Sequence, residues 1–127
     1  MITGIGIDTV EIARIQKFID DDNQALLNRL FTANEQQHCF AKKQGAATCL
    51  AARFAAKEAF VKALGTGLRN GLSWVEMEVV NNELGKPELL LFGRTSEIFA
   101  EVAKRKIHLS LAHDGGNAVA MVVLEQL

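Results

Sequence analysis

A chain of 127 residues, 49% of them hydrophobic, has room for one sizeable core, and residues 1–127 are read as one globular domain. Its net charge of −1 gives no reason to expect a nucleic-acid partner. With neither a signal peptide nor an apolar run of membrane-spanning length, no membrane role is expected and the cytoplasm is the expected compartment. Cys39 and Cys49 have neither a CxxC spacing nor a His-rich setting, and are expected to be buried free thiols in a reducing compartment.

Met1 to Asp8 reads as a strand with Ile5 and Ile7 on one face and Gly4, Gly6 and Asp8 on the other, so the glycine face leaves space beside the carboxylate. Asp8 has two readings: the N-cap of the next helix, with Glu11 completing a capping box, or a metal ligand. That helix is expected from about Thr9 to Ile19. Ile12, Ile15, Phe18 and Ile19 form its apolar stripe, while Arg14, Gln16 and Lys17 lie on a cationic open side. A short helix follows over Asn23 to Leu30. Thr32-Ala33-Asn34-Glu35 is a capping box that starts a helix to about Lys43, on which His38 reads as structural.

Gly45 to Leu64 has no proline and no internal glycine, and its large apolar residues fall at helical spacing, so one long helix is expected. Ala51, Ala55, Ala59 and Ala63 leave much of its circumference small, as in a helix that packs on several sides. Charges on such a helix need a partner or a ligand. Glu58 and Lys62 stand at i and i+4 just before Gly65-Thr66-Gly67, with Arg53 and Lys57 further back. The same residues also read blandly, as a surface ion pair followed by a glycine cap. After a loop over Leu68 to Gly71 come strands at Trp74 to Asn81 and Pro87 to Phe92, then a helix over Arg94 to Lys106 with Ile98, Phe99 and Val102 inward. A last hairpin, Ile107 to Ala112 and Ala118 to Leu124, turns through His113-Asp114-Gly115-Gly116-Asn117. The mixed order predicts an α+β fold, an antiparallel sheet with the long helix packed across it.

Gly4-Ile5-Gly6-Ile7-Asp8-Thr9-Val10-Glu11-Ile12 and Phe54-Ala55-Ala56-Lys57-Glu58-Ala59-Phe60-Val61-Lys62-Ala63-Leu64-Gly65-Thr66-Gly67 together resemble the paired signatures of holo-acyl-carrier-protein synthase, the small type of 4′-phosphopantetheinyl transferase. The resemblance extends to Leu84-Gly85-Lys86-Pro87 and Ile107-His108-Leu109-Ser110. It implies transfer of the phosphopantetheine arm of coenzyme A to a serine of apo acyl carrier protein, with magnesium, releasing adenosine 3′,5′-bisphosphate. Asp8 and Glu58 match the family's metal positions, and Lys62 would hold or protonate the leaving group. Gly65, Thr66 and Gly67 match the loop near the coenzyme phosphates, where Arg53 would pair with a phosphate. Lys57 either helps there or neutralises a buried carboxylate. The base for the carrier serine is Glu58, with His108 as second choice. Arg14 and Lys17 match the carrier-docking helix, and the resemblance further implies a homotrimer with active sites at subunit boundaries. Thr9 stands where the family usually has an aliphatic residue, and the final turn lacks the family's usual tyrosine. Two other functions fit the residues: a catalytically silent module that binds coenzyme A or a carrier protein, and a structural subunit whose alanine-rich helix is an assembly face.

Overall fold

The computed structural model of the protein describes residues 1–67, 71–100 and 105–127. The elements run β1 (Ile2–Glu11), α1 (Ile12–Asp20), α2 (Gln24–Leu30), α3 (Ala33–Phe40), α4 (Ala46–Leu64), a single 3-10 turn (Trp74–Glu76), β2 (Met77–Asn81), β3 (Pro87–Leu91), α5 (Gly93–Ala100), β4 (Arg105–Asp114) and β5 (Asn117–Gln126). Two antiparallel sheets result, one of three strands in the order β1-β5-β4 and one made of the β2-β3 hairpin. This is the expected α+β arrangement, with α4 lying across β1 and β5.

Small residues decide how closely α4 approaches the sheet. Gly4 and Gly6 on β1 sit directly beneath the α4 backbone: a Cβ at Gly6 would collide with the Ala59 carbonyl oxygen, and one at Gly4 with that of Ala63. On the neighbouring strand Ala118 and Ala120 are fully buried. The glycine face therefore receives the helix itself, and the free space expected beside Asp8 is filled up to that residue. The rest of α4 is buried on most sides, with Leu50, Phe54 and Phe60 in the core.

Several boundaries move for reasons of pairing. β1 continues three residues past Asp8, because Thr9, Val10 and Glu11 pair with Val119, Ala118 and Asn117 of β5. Asp8 is thus a strand residue and not a helix cap. The helix starts at Ile12 without a side-chain cap, and the Ile12 N–H donates to the Gly116 carbonyl at 2.9 Å. Trp74 to Glu76 form a tight turn ahead of β2, and α5 ends its described part at Ala100, while Arg105 and Lys106 already belong to β4. Val102 of the expected helix and Leu68 to Asn70 of the expected loop lie outside the described residues. The last hairpin turns on Gly115 and Gly116 with φ of 57° and 83°, the two positive angles of a tight two-residue turn, which only glycine adopts without strain.

The cysteine expectation is corrected. Cys39 and Cys49 are buried as expected, but they are bonded to each other and are not free thiols. The end of α3 and the first turn of α4 run close enough to bring their Cα atoms to 5.5 Å, a proximity that a ten-residue separation does not reveal in sequence.

A buried ion pair ties the helices to the hairpin. Glu35 accepts from the Thr32 N–H at 3.0 Å, closing the expected capping box, and its other oxygen accepts from the Val79 N–H at 2.9 Å. Lys57 donates to Glu35 at 2.6 Å and to the Leu30 and Trp74 carbonyls at 2.7 and 3.0 Å. Of the two readings for Lys57, neutralising a buried carboxylate is therefore the one realised. Replacing Lys57 by Met would strand the Glu35 charge in the core, and urea unfolding should report a loss of about 3–5 kcal/mol.

Candidate active site

The docking of β1 under α4 determines what meets at the helix's C-terminal half. Ala59 and Ala63 rest on Gly6 and Gly4, so β1 runs antiparallel to α4, and Asp8, the next residue on the same strand face, comes up beside the preceding turn of the helix, to which the Lys62 side chain reaches back. Lys62 Nζ lies 2.7 Å from Asp8 Oδ1 and 3.2 Å from the Ile7 carbonyl oxygen. Glu58 is half-buried on the same side of α4. Burial pushes its carboxyl above the ordinary glutamate value, the charge of Asp8 pushes it further, and Lys62 and Arg14 oppose the rise. Lys62 is raised chiefly by its hydrogen bond to Asp8. Among the described residues Lys62 forms its ion pair with Asp8 and not with Glu58, so the bland i, i+4 surface pair is not what forms.

Two carboxylates thus share the neighbourhood of Lys62, with Arg14 acting on Glu58 from α1. Hard oxygen donors of this kind suit a small divalent cation. Among the described residues no cluster of three or more His, Cys, Asp or Glu side chains is present, so Asp8 and Glu58 would supply two ligands and the remainder would come from a ligand's oxygens and water.

The other predicted residues fall in different places. Gly65 adopts a left-handed conformation (φ 79°) and its N–H is used to cap α4, donating to the Val61 and Lys62 carbonyls, so that this N–H does not point at a ligand. Thr66 and Gly67 are exposed beyond it. Arg14 and Lys17 are exposed on α1. Arg14 acts electrostatically on Glu58, whereas Lys17 pairs with Asp21 at 3.3 Å.

Arg53 and His108 are not brought to Asp8. Arg53 precedes Glu58 by five residues, about 140° around the helix, and lines a separate cavity of about 600 Å³ with His38, Lys42, Gly85 and Pro87. There burial pulls the Arg53 guanidinium below its ordinary value while Glu35 and Glu78 pull it back, and the His38 imidazole is lowered by burial and by Arg53 and Lys42. That His38 and Lys42 stand beside Arg53 was not visible in the sequence, since nothing in their local pattern shows that α3 folds back onto Arg53. His108 sits opposite Val123, on the sheet face away from Asp8 and α4, and its Nε2 is 2.9 Å from Glu125 Oε1.

The family model described as the 4′-phosphopantetheinyl transferase superfamily matches residues 4–122. The chain belongs to this superfamily. It is 66% identical to the holo-[acyl-carrier-protein] synthase of Trichlorobacter lovleyi over 98% of both chains. Among solved structures it is similar to the holo-[acyl-carrier-protein] synthase of Neisseria meningitidis (TM-score 0.88, 35% identity, 99% of this chain and 100% of that one). It is also similar to that of Bacillus anthracis in complex with CoA (3′,5′-ADP) (TM-score 0.81, 38% identity, 100% and 99%). The two signature stretches are thus the β1 strand and α4 helix that the glycine contact holds together.

The raised Glu58 carboxyl has a consequence for stability. A carboxyl whose folded value exceeds its unfolded one contributes stability that is present below the unfolded value and lost as pH rises through the folded value. In the metal-free protein, Glu58→Gln should therefore raise the thermal midpoint at about pH 7, and the gain should shrink toward zero near about pH 4, read by calorimetry across that range.

Proposed function

We propose that the chain transfers the 4′-phosphopantetheine group of coenzyme A to a serine of apo acyl carrier protein, releasing adenosine 3′,5′-bisphosphate. The observation that carries this reading is the meeting of Asp8, Glu58 and Lys62, from the two signature stretches, in a chain whose relatives bear the name holo-[acyl-carrier-protein] synthase.

In the proposed mechanism, Glu58 takes the proton of the carrier serine, directly or through a water. The serine oxygen bonds to the phosphorus that bears the pantetheine arm, and the bond from that phosphorus to the bridging oxygen of the pyrophosphate breaks. Lys62, on the exposed rim and already aligned by Asp8, donates to the departing phosphate of adenosine 3′,5′-bisphosphate. Mg²⁺, bound through Asp8 and Glu58, would neutralise charge on the pyrophosphate. Thr66 and Gly67, with Gly65 setting the turn, would lie along the coenzyme phosphates, and Arg53 would take a phosphate in its own cavity. That placement fits a homotrimer in which the Arg53 cavity of one subunit completes the Asp8 site of its neighbour. The exposed Ile5, Ile7 and Met121 on the outer sheet face support such an assembly. His108 lies on that same face, paired with Glu125, and would reach the carrier serine only at a site shared with a neighbouring subunit. The exposed Arg14 and Lys17 would steer the acidic carrier toward Glu58. Among the described residues no helix is long and apolar enough to cross a membrane, which suits cytoplasmic work on a soluble carrier.

Incubation with apo carrier, coenzyme A and Mg²⁺ should add the phosphopantetheine mass to the carrier, and Asp8→Ala or Glu58→Ala should slow this at least about 100-fold, with His108→Ala affected far less. No mass gain with a competent carrier overturns the reading in favour of a silent binding module. Ile7→Asp should convert the assembly to monomers in sedimentation and lower turnover with it; a trimer unaffected by the charge would place the interface elsewhere.

A further inference from the structure

The Cys39–Cys49 pair takes no part in the transfer chemistry and lies outside both signature stretches, yet it borders a cavity with unusual electrostatics. Cys39 is fully buried in the last turn of α3, and Cys49, 9% exposed, is in the first turn of α4. Cys49 lines the cavity with Arg53, His38 and Lys42, and Lys42 belongs to the loop that the disulfide closes. Arg53 is 5% exposed. Its Nε has no hydrogen-bond partner, and its Nη1 donates to Cys49 Sγ at 3.4 Å.

A disulfide sulfur is uncharged and a weak acceptor, so in this state the guanidinium charge is offset by Glu35 and Glu78 but not by the sulfur, and the remainder acts on whatever enters the cavity. With the bond reduced, the same sulfur atom stands at hydrogen-bond distance from a cation, the setting that lowers a thiol's pKa and favours thiolate. A Cys49 thiolate would offset the Arg53 charge, and Cys39 would stand beside it as the resolving thiol.

We propose that Cys39 and Cys49 form a reversible dithiol–disulfide site that sets how strongly Arg53 attracts an anion into this cavity. The oxidant class is a low-molecular-weight disulfide. Cys49 thiolate attacks one of its sulfurs and expels one thiolate, leaving a mixed disulfide on Cys49. Cys39 passes its proton to that thiolate and attacks Cys49 Sγ, expelling the second. Two protein thiols lose two electrons, and the oxidant becomes two thiols. An excess of a small dithiol reverses both steps. The functional consequence rests on the reading that Arg53 receives a phosphate of coenzyme A.

The whole protein is treated with oxidised glutathione or with dithiothreitol, alkylated and weighed. Two alkylated thiols are expected after dithiothreitol, and none, with no retained glutathione, after oxidised glutathione. Cys39→Ala should stop at the Cys49 mixed disulfide. In the transfer assay the disulfide form should have a KM for coenzyme A about fivefold below that of the dithiol form, with kcat changed less, as expected when a hydrogen-bonding cation is freed for an anion. Persistence of both free thiols, a stable glutathione adduct on the unaltered protein, or equal KM values would overturn the proposal. Inactivity in both redox forms would count against the transferase reading itself; equal affinity for coenzyme A in calorimetry of the two forms would then overturn this one separately.

Discussion

The backbone of α4 rests on two glycines of β1, and most of what this protein can do follows from that contact. A side chain at Gly4 or Gly6 would meet the Ala63 or Ala59 carbonyl oxygen, so the strand and the helix can approach this closely only because both present their smallest residues. The approach carries Asp8 to Lys62 and into the field of Glu58. Neither carboxylate belongs to a loop. Each is carried on a rigid element whose position is set by packing, the condition under which a charged site keeps its geometry without a ligand.

Because α4 is buried on most sides, its four charged residues in this stretch cannot share one task. Lys57 is consumed by Glu35, a pairing that joins the start of α3, the end of α2, the 3-10 turn and β2 around a single buried ion pair. Glu58 and Lys62 emerge on the β1 side and Arg53 on the α3 side. A helix this central thus serves a core, a carboxylate site and a basic cavity from three faces. The separation of the last two within one chain is the physical reason an assembly of subunits suits the proposed reaction.

The α+β class and the long helix were legible in the sequence, whereas Asp8 was joined to Glu58 and Lys62 only through the family resemblance. The helix has an unbroken alanine-rich run, and the strand's glycines alternate with isoleucines. Less legible was anything decided by pairing at a distance. Asp8 looked as much like a cap as a ligand until β5 extended β1 to Glu11. Glu35 showed only its capping box, because the bonds to Lys57 and Val79 span 22 and 44 residues. The same holds for Cys39 with Cys49 and for His38 beside Arg53, where two helices fold back on each other without a periodic signature. The final turn departs from the family pattern in sequence, yet its paired glycines keep β4 and β5 in continuous register.

On the proposed reading, Asp8 and Glu58 hold one divalent cation against the pyrophosphate of coenzyme A. Crystals grown with coenzyme A and Mn²⁺ in place of Mg²⁺ test it through anomalous scattering. One peak bound by both carboxylates and by pyrophosphate oxygens is expected. A coenzyme seated in the protein with no peak between Asp8 and Glu58, or with the cation held by other residues, would contradict it.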